Sequence, residues 1–262
     1  MPPGSGRRSW PRRGEPGSAE PGRTASIRRS LLKAGQGGFS FNQYLVVDDE
    51  PLIFHTGPRK MFPLVREAVA SVLPVEHLRY VALSHVEADE CGSLNEWLAA
   101  VPRSSPLCGT VAAMVSINDL ADRPARALAD GEVLSLGKHS MRWFDTPHLP
   151  HAWECGFLME ERTRTLLCGD LFTQGGADLP ALTESDILGP SEAFRHGMDY
   201  FSHTKNARLS LRAAHAVRPP PQPATTRGQR TQAPLTPFDY PGIGEPNGNA
   251  TSARGAASSP ET

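Results

Sequence analysis

Ser84-His85-Val86-Glu87-Ala88-Asp89-Glu90-Cys91-Gly92 is the densest polar cluster in the chain. It follows Leu78-Arg79-Tyr80-Val81-Ala82-Leu83, a short β-rich run of the kind that forms a buried strand. Ligand-bearing residues therefore begin where a strand is expected to end. Side chains alternate along an extended backbone, so His85, Glu87 and Asp89 are expected to project to one side. An imidazole and two carboxylates converging there suit a metal ion. The same residues also suit a solvated acidic loop, since carboxylates before a helix favour its dipole. The next segment, Ser93 to Ala100, does read as a short helix with a serine cap.

Two later segments add weight to the metal reading. Asp145-Thr146-Pro147-His148-Leu149-Pro150-His151 places His148 in a Pro-flanked loop directly after an expected strand. Leu166-Leu167-Cys168-Gly169-Asp170 ends another apolar run with an aspartate. Functional side chains commonly sit on loops held by a rigid sheet, and here three such loops each carry a ligand type. Glu90 and His151 are additional candidates. His55, His77, His139, His196 and His203 read as structural or solvated. Cys155 and Cys168 read as core thiols.

Working outward, strands are expected at 43–47 and 52–55, forming a hairpin through Asp48-Asp49-Glu50-Pro51. Others are expected at 111–115, 133–136, 141–144, 156–159 and 165–167. Helical spacing joins Phe62, Val65, Val69 and Val72, and further helices are expected at 191–201 and 207–216. Strands outnumber helices but helices recur between them, which predicts an α+β domain of two mixed sheets with helices outside. That domain spans 39–217. Before it, residues 1–38 read as a disordered basic leader, with eight Lys/Arg up to Lys33 against Glu15 and Glu20. After it, residues 218–262 read as a Pro/Gly-rich disordered tail, too poor in apolar residues to offset the entropy of ordering. A net charge of −1 gives no case for nucleic acid. No apolar run approaches the roughly 18 residues of a membrane span. Four dispersed cysteines argue against a secreted disulfide scaffold and for the cytoplasm.

The His85-x-Glu87-x-Asp89 segment, the distant His148 and the distant Asp170 together resemble the metallo-β-lactamase superfamily. Its hallmark is His-x-His/Glu-x-Asp, then a distant His, then a distant Asp. Glu87 at the second ligand position is similar to the di-iron branch, the flavodiiron and oxygen-binding di-iron proteins; zinc hydrolases usually have His there. The resemblance covers about residues 40–210. It implies an αββα sandwich with a dinuclear site at one sheet edge. His85, Glu87 and His148 would hold the first metal, Asp89 the second, and Asp170 would bridge. The resemblance further implies two metal ions, iron first with zinc or manganese as alternatives, since carboxylate-rich mixed sites suit iron or manganese.

The implied activity is binding or reduction of O₂ or NO as the small-molecule substrate. Electrons would come from an external flavoprotein or rubredoxin-like donor, because no flavodoxin-like domain follows. A homo-oligomer is a further expectation. The alternatives are a metal-dependent hydrolase of an ester, thioester or amide, and a degenerate member that binds without turnover. Two departures bear on the second metal. Glu90 stands where the family commonly has His, and the family's last histidine has no match around Ala213-Ala214-His215-Ala216. That position is therefore expected to be impaired, and the loss of apolar pattern after Val217 suggests a change of reading frame.

Overall fold

In the run Leu52-Ile53-Phe54 every side chain is buried, yet neighbours face opposite ways. Ile53 packs with Val65, Val69 and Trp97, whereas Leu52 and Phe54 pack with Trp143 and Leu158. A strand buried on both faces needs a layer on each side. The computed structural model, which describes residues 24–32, 39–176, 179 and 183–204, supplies both. A six-stranded sheet runs in the order β1 (Thr24–Leu32), β2 (Phe39–Val46), β3 (Leu52–Phe54), β4 (Tyr80–Ala82), β5 (Ser105–Gly109), β6 (Arg126–Leu128). The first three pair antiparallel, and β3 to β6 pair parallel. A second, four-stranded antiparallel sheet comprises β7 (Val133–Ser135), β8 (Ser140–Asp145), β9 (Gly156–Glu160) and β10 (Thr165–Leu167), adjacent in that order.

Parallel neighbours cannot be joined by tight turns, so helices carry the crossovers. The helix α1 (Phe62–Ala70) opens with Pro63 in its first turn, where a missing N–H costs nothing, and buries Val65 and Val69 one turn apart. After β4 come α2 (Ala88–Cys91) and α3 (Leu94–Ala100), which buries Leu94, Trp97 and Leu98. After β5, α4 (Thr110–Ala112), a π-helical turn (Ala113–Ile117) and α5 (Asn118–Leu120) run on as one helical stretch. These helices cover the outer face of the first sheet through Leu45, Ile53, Val81 and Cys108. The inner face meets the second sheet through Val46, Phe54, Ala82 and Leu107 against Met141, Trp143, Leu158 and Leu167. A smaller cluster of Leu149, Phe157 and Leu171, with Phe201 against it, lies near α6 (Leu188–Met198).

Trp143 sets the fit between sheets. A Cβ on Gly156 would lie 1.9 Å from its ring, so only glycine permits this approach, and the indole N–H donates to Asp145 Oδ1 at 2.7 Å. Fully buried His139 places Nδ1 3.0 Å from Glu160 Oε1. Its main-chain N–H donates to Asp48 Oδ2 at 2.7 Å. Glu160 also accepts the N–H groups of Arg162 (3.0 Å) and Thr163 (2.6 Å), which shapes the β9–β10 turn.

Several expectations need correction. Residues 111–115 are helical, not a strand: Ala113 and Ile117 are buried one turn apart while Met114 and Val115 are exposed. Strands β5 and β6 went unread, and β1 lies within the stretch expected to be an unstructured leader. Ser93 makes no cap hydrogen bond; its hydroxyl donates to the Thr56 carbonyl at 3.1 Å. The helix expected at 191–201 begins and ends three residues earlier. The helix expected at 207–216, the tail and most of the leader lie outside the described residues.

Candidate metal centre

Just past the end of β4 the backbone bonds to both sheets. Leu83 N–H donates to Leu107 O at 3.1 Å, and Ser84 O accepts the Gly156 N–H at 2.9 Å. The chain bends at residues 84–86, Glu87 itself is extended (φ −141°, ψ 162°), and α2 then begins at Ala88. His85 and Glu87 reach one cluster across a bend and not along an extended strand as expected, and Asp89 lies in the first helical turn. Glu154 steadies the turn by accepting the Val86 N–H at 3.3 Å.

From the second sheet, the loop after β8 folds back on itself. Thr146 N–H donates to Cys155 O at 2.8 Å, and His148 N–H to Ala152 O at 2.9 Å. The loop contains His148 in a left-handed conformation (φ 63°) and a cis Leu149–Pro150 peptide bond. His151 follows, and the Ser202 hydroxyl holds its carbonyl at 2.5 Å. Asp170 sits in a 3-10 turn (Gly169–Phe172) after β10. Thr173 Oγ1 donates to its Oδ1 at 3.0 Å, and the Tyr200 hydroxyl donates to its carbonyl at 2.9 Å.

These elements bring His85, Glu87, His151 and Asp170 together, with one ligand atom of each within 4.8 Å of the others. His85 Nε2 lies 3.1 Å from Glu87 Oε2, 3.0 Å from His151 Nε2 and 3.6 Å from Asp170 Oδ2. His151 Nε2 lies 3.0 Å from the same Glu87 oxygen and 3.8 Å from Asp170. A second group, Glu87, Asp89 and Glu90, adjoins the first and shares Glu87. His148 belongs to neither group. Of the two loop histidines, His148, expected as a ligand, stands apart from the cluster, and His151, three residues on, stands in it.

The field here calls for a cation. Burial alone would lower His85, but hydrogen bonds that it donates to the Cys155 and Glu87 side chains, with nearby charge, raise it to about 11. Hydrogen bonding to His85 outweighs burial in holding Glu87 down to about 2. Burial, reinforced by Asp170 and Asp89, pushes Glu90 up to about 10. Burial likewise lifts Asp170. Glu90 Oε2 is buried without a hydrogen-bond partner. An acid cluster that holds one imidazole charged and one carboxyl neutral suits a bound cation. The residues present thus fit a metal centre of mixed nitrogen and oxygen donors.

The sequence predicts a structural or solvated role for His55 and gives Ser84 no separate role. Ser84 Oγ lies 2.9 Å from His55 Nε2 and 2.8 Å from His85 Nδ1. Only the unusual buried His-Thr-Gly after β3 could have signalled it.

The family model described as ODP family beta lactamase matches residues 39–205. Rubredoxin-oxygen oxidoreductase of Megalodesulfovibrio gigas is 28% identical over 141 residues, 52% of this chain and 34% of that protein. Anaerobic nitric oxide reductase flavorubredoxin of Pectobacterium atrosepticum is 24% identical over 186 residues, 69% of this chain and 36% of the relative. The chain thus spans about a third of the length of these curated relatives. Among solved structures, rubredoxin oxygen:oxidoreductase from Desulfovibrio gigas superposes with a TM-score of 0.62 at 20% identity, covering 74% of this chain and 50% of that one. The flavodiiron protein of Giardia intestinalis gives 0.60 at 18%, covering 74% and 49%. Among the described residues no helix is long and apolar enough to cross a membrane.

Proposed function

Because this chain belongs to the ODP beta-lactamase family, we propose that it holds a dinuclear metal centre, of iron by preference, and binds or reduces O₂ or NO. The observation that carries this reading is the convergence of His85, Glu87, His151 and Asp170 beside the carboxylates of Asp89 and Glu90. In this reading the first position uses the two imidazoles, Glu87 and Asp170, with Asp170 reaching toward the second position as a bridge. The second position rests on oxygen donors, which favours iron or manganese over zinc. It lacks an imidazole among the described residues that form it, so its affinity is the lower of the two.

When bound, a pair of redox-active ions supplies the site where a small diatomic ligand accepts electrons. The protein's own groups do the rest. Glu87 and Asp170 neutralise the cations, and half-buried His151 stands at the open side of the cluster beside buried His85. Electrons come from a separate flavin- or rubredoxin-type donor, a reading supported by the names of the relatives. Metal analysis of anaerobically purified protein is the test. About two irons per chain, with O₂ or NO consumption once a flavin or rubredoxin donor is added, is the expected result. Zinc at full occupancy would favour the hydrolase alternative, and metal-free protein would overturn both.

A further inference from the structure

Four buried side chains close a ring behind the candidate centre: Glu90, His55, Ser84 and His85, none more than 6% exposed. His55 Nδ1 lies 4.0 Å from Glu90 Oε1, and His85 Nε2 lies 3.8 Å from Glu90 Oε2. Between the two histidines stands the Ser84 hydroxyl, at 2.9 Å and 2.8 Å.

Donor and acceptor roles follow from one fixed proton. The Ser84 main-chain N–H can only donate, and it points at His55 Nε2 at 3.4 Å. That nitrogen therefore carries the lone pair, and the His55 proton sits on Nδ1, facing Glu90. The Ser84 hydroxyl, beside the same lone pair, donates to it. Its oxygen is left to accept from His85 Nδ1. His85 is thus protonated at Nδ1, and Nε2 is the nitrogen turned toward Glu87, His151 and Asp170.

We infer that His55, acting through Ser84, is a positioning residue that fixes the tautomer and ring orientation of the metal ligand His85. The neutral imidazole of a ligating histidine generally needs such a partner on its other nitrogen. Gly169 supplies an independent sign that this space is reserved. It has φ +50°, and a Cβ there would lie 2.6 Å from Ser84 Oγ and 3.8 Å from His55 Cε1. The residue before Asp170 thus leaves room for the Ser84–His55 contact.

The inference rests on the metal reading above, and the experiment separates the two. Co(II) affinity is measured by chelator competition for the wild-type protein, His55→Phe, His55→Gln, Ser84→Ala and His85→Ala. His55→Phe keeps the ring that stacks on Phe54 (4.1 Å between centroids) but cannot accept from Ser84. It and Ser84→Ala should each weaken binding about 10- to 100-fold. In His55→Gln the amide oxygen accepts from Ser84 while the amide N–H₂ faces Glu90, so most of the affinity should return. The second readout is the ¹H–¹⁵N spectrum of metal-free protein: the His85 Nδ1–H, donated to Ser84 Oγ, should be downfield and slow to exchange in the wild type and should exchange with solvent in Ser84→Ala. Wild-type affinity in both His55→Phe and Ser84→Ala overturns the inference, as does an equal loss in His55→Phe and His55→Gln. Failure of wild type to bind Co(II), or undiminished binding by His85→Ala, overturns the metal reading instead. The Nδ1–H signal then still decides whether the hydrogen-bond chain exists.

Discussion

At His148 the backbone turns left-handed, and only three residues later does the chain present an imidazole to Glu87. Both histidines share one Pro-flanked loop, so the sequence made a histidine ligand legible without telling which. What decides is loop closure: the His148 N–H is spent on Ala152 O, and the side chain at 151 faces the cluster. His151→Ala should accordingly lose most of its bound metal, while His148→Ala should retain it; elemental analysis of the two variants checks this. A ligand lost from a site with few donors is poorly compensated. Gly169 is a second residue whose role is steric. Gly169→Ala would place a Cβ against Ser84 Oγ in a positive-φ conformation. It should cost about 1–3 kcal/mol of stability, read from the urea midpoint, and should lower metal affinity with it.

Among the elements, the segment Thr110-Val111-Ala112-Ala113-Met114-Val115 shows what pattern reading misses. A short apolar run cannot be told from a buried helix by periodicity alone, and β-branched Val111 and Val115 favour the strand reading. Burial settles it at Ala113 and Ile117, one helical turn apart. Ile117→Ala should therefore cost about 2–5 kcal/mol, as buried large-to-small changes do, whereas Val115→Ala, at an exposed position, should stay within about 0.5 kcal/mol. Equilibrium denaturation of both variants is the check; a strand would have paired 111, 113 and 115 on one face. Strand β5 holds Pro106 and Gly109, residue types that strands disfavour, and pairing on both sides carries the segment nonetheless. By contrast β8, β9 and β10 are legible: β8 alternates buried Met141 and Trp143 with Arg142, and β9 and β10 are short apolar runs between turn signals.

For the molecule as a whole, acid sensitivity is set partly far from the metal cluster. Burial would raise Glu160, but hydrogen bonds from Thr163, His139 and Arg162 outweigh it and hold the carboxyl below its ordinary value of 4.5. A lowered folded value means the unfolded chain binds the proton first. This group therefore adds stability above about pH 4.5, and that contribution disappears as pH falls through the lower folded value. Glu160→Gln should be less stable at pH 7 and should lose less on acidification from pH 5 to pH 3, as urea midpoints at each pH would report. The two-sheet architecture has another consequence. His85 and Glu87 hang from the first sheet, His151 and Asp170 from the second. An ion gripped by all four is a rivet through the sandwich, joining parts of the chain that the denatured polymer holds far apart. Such a rivet stabilises by mass action, by about 2.7 kcal/mol at a hundredfold excess over Kd. Pulling it with a chelator should loosen amide protection first where the two sheets meet at the ligand end, leaving the Asp48–His139 contact as the more durable hinge between them.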